Sequence, residues 1–277
     1  MVQHRDAENT GTQSCNVKRS LLSNWNNKVV MITGASSGIG RGVAVELARR
    51  GASVGLVARR SDVLDEIVQE IQARNGRALA LAADVNDPES MRTTADRLRN
   101  ELGPIDVLVA NAGIGGASDA VDLQPAQVAN VINVNILGAV NSVTAVLPEM
   151  AKRNSGQLVA ISSLAGYRGI PKSAAYCASK AGLSAFFESL RLDLRNSSVD
   201  VTIIYPGFIK TPLTAGRESH MPYLMELDDA VLKIVDAIEK RKKSYAFPWQ
   251  LASLVRLGMI MPIWMYDRIA ARKSFRT

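Results

Sequence analysis

The stretch Lys28-Val-Val-Met-Ile-Thr33, followed by Gly34-Ala-Ser-Ser-Gly-Ile-Gly40, decides the fold. The apolar run has the length and composition of a strand that is buried on both faces, as in a parallel sheet. The glycines permit a sharp turn that brings the backbone close to a pyrophosphate, whose charge is stabilised by amide groups at a helix N-terminus. Because the spacing is not Gly-x-Gly-x-x-Gly, a glycine-rich connector without a ligand is the alternative. The predicted ligand contacts in this turn are Gly34, Ser36, Ser37, Gly38, Ile39 and Gly40.

The alternation of apolar strands and amphipathic helices continues downstream. Predicted strands cover residues 53–58, 78–81, 105–110, 156–162 and 199–205, and predicted helices cover residues 42–50, 62–74, 88–102, 124–150 and 174–194. Strands separated by helices of this length indicate βαβ units. The pattern therefore predicts an α/β fold, a single doubly wound Rossmann-type domain whose parallel sheet carries helices on both faces. Ligands are expected at the C-terminal ends of the strands.

The composition is that of an ordinary globular protein, with 277 residues, 47% hydrophobic and 21% charged. Cys15 and Cys177 are too few for a disulfide framework, which favours a reducing, cytoplasmic location. His4 and His220 have no neighbouring ligand cluster, so no metal site is expected. The N-terminus does not resemble a signal peptide, and no stretch of about twenty uncharged apolar residues indicates a spanning helix.

The net charge of +7 is concentrated at the C-terminus. Residues 240–277 contain nine Lys and Arg residues and one acidic residue, Asp267, a net of +8, which leaves −1 for the rest of the chain. This distribution argues against nucleic-acid binding by the main domain. We expect a flexible N-terminal extension over residues 1–27, the Rossmann domain over residues 28–245, and an apolar, basic extension over residues 246–277.

The end of the second strand bears on the choice of dinucleotide. An acidic residue there would accept hydrogen bonds from the ribose hydroxyls of NAD, but the chain has Ala58, followed by Arg59 and Arg60. Guanidinium groups match a 2′-phosphate, so the sequence predicts NADP(H), with Arg59 as the leading contact. A solvated loop is the alternative for both arginines. Asp84 and Val85 follow the third strand as candidate contacts to the adenine, although Asp84 could equally cap the next helix.

A tyrosine and a lysine share one face of the predicted helix over residues 174–194. Tyr176 and Lys180 are four residues apart, and a nearby cation is what a phenol needs to act as an acid or base near neutrality. A structural pair is the alternative, because this spacing is common by chance. Ser163 ends the preceding strand, thirteen residues before Tyr176.

Taken together, the motifs resemble the short-chain dehydrogenase/reductase family, from about Lys28 to Thr211, which is most of the predicted domain. The motifs, in chain order, are T-G-x-x-x-G-x-G from Thr33, N-A-G at Asn111-Ala112-Gly113, V-N-x-x-G from Val134, Ser162-Ser163, Y-x-x-x-K from Tyr176 and P-G-x-x-x-T from Pro206 to Thr211. The resemblance implies that Tyr176 is the general acid or base, that Ser163 binds the substrate oxygen, and that Lys180 depresses the pKa of Tyr176 and holds the nicotinamide ribose. It implies that Asn135 positions a water for a proton relay.

The resemblance also assigns the remaining cofactor contacts. They are Asn111, Ala112 and Gly113, which could equally serve as a turn that stabilises the sheet, and Pro206, Gly207, Ile209 and Thr211, of which Ile209 and Thr211 close over the nicotinamide. The family forms homodimers or homotetramers through helices that correspond to residues 128–150 and 174–194, and it places a substrate loop near residues 213–227. Cys177 stands where the family often has a serine, and we expect it to be a small packed residue.

The apolar and basic residues over 247–277 leave three interpretations open. They can form an interfacial helix on an anionic membrane, cover the substrate pocket, or pack on a partner subunit. Pro262 is expected to interrupt the helix. The sequence therefore predicts an NADP(H)-dependent oxidoreductase acting on the carbonyl or secondary alcohol of an apolar or mixed small molecule. The alternatives are a 3-oxoacyl-carrier-protein reductase and a non-catalytic NADP(H) sensor.

Overall fold

Seven parallel strands form the central sheet of the protein. The structure is a computed structural model that describes residues 25–216 and 221–270. The strand order is β3-β2-β1-β4-β5-β6-β7, so the order reverses between β1 and β4. The predicted doubly wound α/β fold is confirmed. The strands are β1 (Val29–Thr33), β2 (Ser53–Ala58), β3 (Arg77–Ala82), β4 (Ile105–Ala110), β5 (Gly156–Ile161), β6 (Val199–Pro206) and β7 (Ser244–Phe247).

Nine α-helices of the described residues flank or follow this sheet. They are α1 (Gly38–Arg49), α2 (Ser61–Gln72), α3 (Pro88–Leu102), α4 (Pro125–Ile132), α5 (Gly138–Lys152), α6 (Ala174–Asp193), α7 (Leu227–Glu239), α8 (Trp249–Ile260) and α9 (Ile263–Ala270). A π-helical turn, Asn133–Leu137, joins α4 to α5.

Both faces of the sheet are buried, which is why β1 is apolar at every position before Thr33. Val30 and Ile32 face one hydrophobic core, which is built with α1, α2 and α7. Met31 faces the other core, which is built with α3, α5 and α6. β1 pairs with β2 on one side and with β4 on the other. The turn that follows β1 therefore starts at the point of sheet reversal, where ligands bind in this architecture.

The largest differences from the predicted helices concern the start of α1 and the helix over residues 124–150. α1 begins at Gly38 and not at residue 42, because the backbone enters the helical conformation directly after Ser37. The predicted continuous helix over residues 124–150 is divided by the π-helical turn, which places an extra residue within the helix. Hydrophobic periodicity identified the helical segment but carries no signal for a local change of pitch.

The C-terminal part of the domain contains elements that the sequence analysis did not predict. α7 packs on α1, and β7 adds a seventh strand beside β6. β7 spans the boundary drawn at residue 245, while Trp25 already packs into the first core. Pro262 separates α8 from α9, as expected. Residues 1–24 of the predicted N-terminal extension, and with them Cys15 and His4, lie outside the described residues, as does His220.

By length and composition, one helical span of the described residues could cross a membrane. It is Pro125–Lys152, with a mean hydropathy of 1.5 in its most apolar window. Val143, Val146 and Met150 of this span are buried against the sheet. A helix buried in a core has the same composition, so we assign the span to the core.

Candidate active site

The glycine-rich turn after β1 adopts a conformation that side chains would prevent. Gly34 and Gly38 have φ values of 66° and 53°, in the left-handed region that favours glycine. A Cβ atom at Gly40 would lie 2.3 Å from the carbonyl oxygen of Gly34. The turn therefore brings bare backbone to the reversal point of the sheet, as close approach of a pyrophosphate requires.

The start of α1 fits an anionic group. Ser37 is the N-terminal cap, but its side chain makes no capping hydrogen bond, and the first turn contains no acidic residue. The first amide groups of a helix have no partner within the helix and carry partial positive charge. These N–H groups can therefore donate hydrogen bonds to the pyrophosphate of a dinucleotide.

Asn111 and Ala112, which follow β4, are hydrogen-bonded to Thr33 at the start of the glycine-rich turn. The backbone N–H groups of both residues donate to Thr33 Oγ1 at 3.1 Å, and Asn111 Nδ2 donates to the carbonyl oxygen of Thr33 at 2.9 Å. These contacts support the interpretation of Asn111 as a residue that stabilises the turn. Thr33 was not selected from the sequence as a site residue, although it opens the glycine-rich motif.

The end of β2 places an arginine on the glycine-rich turn. Arg60 Nη2 donates to Ser36 Oγ at 2.9 Å, and both Arg60 and Arg59 are exposed. The sequence favoured Arg59 as the leading contact, but Arg60 is the residue seen in contact with the turn. Arg60 and Ser36 together form a cationic and hydrogen-bonding site. It lies beside Ala58, at the strand end where a dinucleotide fold that is specific for NAD has a carboxylate.

Asp84 does not cap the helix that follows it. The N-terminal cap of α3 is Asp87, whose carboxylate accepts hydrogen bonds from the N–H groups of Glu89 and Ser90. The capping alternative for Asp84 was therefore wrong. The Asp84 carboxylate accepts a hydrogen bond from the N–H of Asn86 within its own loop, at 2.9 Å. Its predicted contact to the adenine, like that of the buried Val85, stays a prediction.

The hydroxyl of Ser163 lies close enough to the phenol of Tyr176 to lower the pKa of that phenol. Ser163 ends β5, and its Oγ also accepts a hydrogen bond from the N–H of Ala165 at 3.1 Å. Tyr176 stands in the first turn of α6, where the half-buried phenol faces Ser163. Burial raises the pKa of Tyr176, and the hydrogen bond from Ser163 offsets part of this effect. A raised pKa keeps the phenol protonated near neutrality, the state that a proton donor needs.

Lys180 lies one helical turn further along α6, beneath the Tyr176 ring. Its Nζ is 5.9 Å from the ring centre and donates to the carbonyl oxygen of Ile161 at 2.8 Å. The side chain is buried, and burial lowers the pKa of the ammonium group from 10.5 to about 8. We expected Lys180 to depress the pKa of Tyr176, but that pKa is raised, chiefly by burial of the phenol, and Lys180 does not contribute a lowering effect.

Asn135 is held within the π-helical turn and is fully buried. Its Oδ1 accepts from the N–H of Ile114 at 2.8 Å, while its Nδ2 donates to the carbonyl oxygen of Ile114 at 3.0 Å and to Ser179 Oγ at 2.9 Å. Its amide thus fixes the loop after β4 to α6. Ser179 was not predicted, although it lies inside the Tyr176–Lys180 motif. The water relay through Asn135 stays a prediction.

Gly113 lies next to both the buried amide and the buried ammonium group. A Cβ at Gly113 would come within 3.2 Å of Asn135 Oδ1 and 3.4 Å of Lys180 Nζ. The absence of a side chain therefore leaves space in front of these groups, as a nicotinamide ribose would require.

The loop after β6 reaches the glycine-rich turn. Thr211 lies 3.5 Å from the position that a Cβ would take at Gly38. Ile209 is buried and forms a bridge with Met225, which fixes the segment before the predicted substrate loop (residues 213–227) to a residue near the end of that loop. The N–H of Gly207 donates to the carbonyl oxygen of Phe247 at 2.7 Å. Pro206 ends β6, so all four predicted residues lie at the C-terminal edge of the sheet.

A cavity of about 180 Å³ lies next to the predicted catalytic residues. It lies between the loop after β4 and the first residues of α4 and α6, and its lining includes Ile114, Leu123, Val131 and Ala175. Ile114 is bound by Asn135, and Ala175 directly precedes Tyr176. The lining is mixed, because Ser118, Gln127 and Asn130 add polar groups to the small and apolar residues, so this cavity can receive a part of a substrate with both polar and apolar groups.

Comparison with known proteins agrees with this geometry. The family model described as short chain dehydrogenase matches residues 28–222. The chain belongs to the short-chain dehydrogenase/reductase family. This short-chain dehydrogenase/reductase is an oxidoreductase, and its family uses a nicotinamide cofactor, NAD or NADP.

Two relatives and one solved structure illustrate the similarity. The short-chain dehydrogenase/reductase is 44% identical over 245 residues to "Uncharacterized oxidoreductase" of Myxococcus xanthus (strain DK1622), which covers 88% of this chain and 97% of the relative. It is 33% identical over 198 residues to "Ketoacyl reductase HetN" of Nostoc sp. (strain PCC 7120), covering 71% and 69% of the two chains. A crystal structure of a short-chain type dehydrogenase/reductase from Mycobacterium marinum is similar with a TM-score of 0.76 at 26% identity, covering 87% and 98%.

Proposed function

We propose that this short-chain dehydrogenase/reductase uses NADP(H) to reduce a carbonyl group on an apolar or mixed small molecule, or to oxidise the corresponding secondary alcohol. The observation that carries the proposal is the position of Lys180 Nζ, 5.9 Å from the centre of the Tyr176 ring, with Ser163 near the phenol. The three side chains lie at the C-terminal edge of the sheet, near the glycine-rich turn and the cavity between the loop after β4 and α6. A non-catalytic NADP(H) sensor has no need of this arrangement.

The protein side chains divide the work of reduction among them. When bound, the nicotinamide supplies the hydride. Ser163 donates a hydrogen bond to the substrate oxygen and stabilises the negative charge that develops there. Tyr176 gives its phenolic proton to the same oxygen. Lys180 then stabilises the resulting phenolate through its positive charge and holds the ribose hydroxyls of the cofactor.

The choice of NADP(H) rests on the contact between Arg60 and Ser36. We expect Arg60→Ala to weaken NADPH binding about 10- to 100-fold, because a charge-assisted hydrogen bond to phosphate contributes about 1.5–3 kcal/mol. NADH lacks the 2′-phosphate, so its affinity should change by no more than about twofold. Titration of intrinsic or nicotinamide fluorescence with both dinucleotides measures the two affinities.

Arg59→Ala is the matched comparison, since Arg59 is an exposed neighbour of the same type. It should also affect NADPH more than NADH, but less than Arg60→Ala does. Equal losses for NADPH and NADH in the Arg60 variant would place the 2′-phosphate elsewhere and leave the preference for NADP(H) without support.

The pH dependence of reduction should report the ionisation of Lys180. Below a pKa of about 8, Lys180 is charged while Tyr176, whose pKa is raised, remains protonated, so both groups are in the required state. Above that pH, kcat/KM for NADPH should fall about tenfold per pH unit, because this parameter reports the free enzyme. Initial rates between pH 6 and 10 give the profile. Lys180→Arg stays charged throughout this range, so persistence of the same decline in that variant would contradict the assignment to Lys180.

A 3-oxoacyl-carrier-protein reductase is the second candidate. The similarity to a relative named as a ketoacyl reductase favours it, whereas the long apolar and basic tail after Tyr245 favours the broader proposal. NADPH consumption against ketones, aldehydes, 3-oxoacyl thioesters and steroids distinguishes the two. Turnover confined to the thioesters would establish the second candidate.

We further propose a cytoplasmic homodimer or homotetramer, with α5 and α6 in the subunit contacts, and sedimentation analysis tests this assembly.

A further inference from the structure

The helices α8 and α9, which we call the C-terminal clip (residues 249–270), contact both loops that border the active site. Leu251 of α8 packs against Gly207, where a Cβ would lie 2.9 Å from Leu251 Cδ2. Tyr266 of α9 donates from its hydroxyl to the carbonyl oxygen of Gly169 at 2.6 Å. Gly207 belongs to the loop after β6, and Gly169 lies between Ser163 and Tyr176. The clip is therefore attached to the active site on two sides.

Arg168 fastens the clip to the second of these loops. Its Nη1 donates to the carbonyl oxygens of Gly258, at the end of α8, and of Met261, the latter at 3.3 Å. Its guanidinium carbon lies 3.7 Å from the centre of the Tyr266 ring, a cation–π contact. Arg168, which lies between Ser163 and Tyr176 in the chain, thus contacts both helices of the clip and the turn between them.

The outer face of the clip is apolar and exposed. The exposed fractions of Ile260, Ile263 and Trp264 are 81%, 73% and 70%. Single exposed apolar side chains are common on protein surfaces, but contiguous groups mark sites of interaction. The large apolar side chains exposed on the clip are Trp249, Leu254, Leu257, Met259, Ile260, Ile263, Trp264, Met265 and Ile269.

The charge of the clip distinguishes an anionic membrane from a second copy of the chain as the binding partner of its outer face. Arg256, Arg268 and Asp267 are exposed on the clip, and residues 249–277 contain five Lys and Arg residues and one acidic residue, a net charge of +4. Two copies that met through this face would bring like charges together. An anionic lipid surface complements the charge, and exposed tryptophans favour the boundary between lipid headgroups and acyl chains.

We propose that the outer face of the C-terminal clip lies on an anionic lipid bilayer, and that the substrate is an apolar carbonyl compound taken from that bilayer. The part on the substrate rests on the proposed reductase function. Because the clip contacts both loops at the mouth of the active site, docking would hold that mouth at the lipid surface. Interfacial helices bury their apolar face only to the depth of the headgroup and acyl boundary, so docking requires no spanning helix.

The test of docking is flotation of the full chain with vesicles that contain phosphatidylglycerol and phosphatidylcholine, compared with phosphatidylcholine alone. We expect binding to the anionic vesicles that weakens as salt is raised. The double variant Ile260→Glu/Trp264→Glu should bind about tenfold more weakly or worse, because it removes apolar contact and adds repulsion. Leu232→Glu, at an exposed leucine of α7, is the matched control and should bind like the wild type. Failure of the wild type to bind, or undiminished binding by the double variant, would overturn the proposal.

Two further readouts separate docking from catalysis and from self-association. The double variant should reduce a water-soluble ketone at the wild-type rate but lose about tenfold in rate on a long-chain ketone held in the anionic vesicles. Equal rates on the embedded ketone would overturn the part of the proposal on substrate entry. If the double variant forms a smaller oligomer than the wild type, and the wild type does not bind vesicles, the outer face of the clip would be a contact with a second copy of the chain. Vesicle binding without turnover of any carbonyl would leave docking intact and refute the reductase function.

Discussion

Replacing Tyr176 by phenylalanine is expected to lower kcat for carbonyl reduction about 1,000-fold, because it removes the proton donor and leaves the rest of the site in place. The phenol faces Ser163, and its raised pKa keeps it protonated across neutral pH. Without its hydroxyl, the oxygen of the substrate would have to take its proton from water at a site that is partly closed to solvent. The rate of NADPH oxidation at 340 nm under single-turnover conditions measures the loss.

NADPH affinity separates a chemical role of Tyr176 from a structural one. Phenylalanine keeps the ring beside Lys180, so the dissociation constant of NADPH should change by no more than about twofold. Tyr245→Phe is the matched control, because Tyr245 lies in the edge strand β7 and stacks on Phe247, remote in sequence from the catalytic motif. A Tyr176→Phe rate above a tenth of the wild-type rate would rule out Tyr176 as the principal proton donor.

Local sequence patterns were sufficient for the parts of the site that a single turn or strand end creates. The run from Lys28 to Gly40 predicted both the buried strand and the glycine-rich turn, since buried parallel strands are apolar on both faces and left-handed turns need glycine. The spacing between Tyr176 and Lys180 predicted one face of a helix. Ser163 could be placed with them because parallel strands end at the same edge of a sheet.

Features that depend on contacts between distant segments were not available from the sequence. Arg59 and Arg60 are chemically identical, and only the path of the chain into α2 brings Arg60 to Ser36. Arg168 has no motif of its own, and its role depends on helices that start more than 80 residues later. The raised pKa of Tyr176 likewise follows from burial, which depends on the packing of the whole site.

The glycine-rich turn should tolerate no side chain at Gly40. A Cβ there would lie 2.3 Å from the carbonyl oxygen of Gly34 and 2.5 Å from Asn111 Nδ2, and backbone at such a distance cannot yield as a flexible side chain can. We expect Gly40→Ala to lower the free energy of unfolding by about 3 kcal/mol. For a chain of this size, the corresponding fall in Tm is roughly 6–12 °C, measurable by differential scanning calorimetry.

The same substitution should weaken NADPH binding about 100-fold, since moving Gly34 and Asn111 displaces both the turn and the segment that opens onto Lys180. Gly169→Ala is the matched control, because a Cβ at Gly169 would have no heavy atom within 4 Å. That variant should keep the wild-type Tm and NADPH affinity. A Gly40→Ala protein that loses stability but binds NADPH normally would contradict the placement of the pyrophosphate on this turn. Losses of both thermal stability and NADPH affinity would show that cofactor binding requires the conformation of this turn.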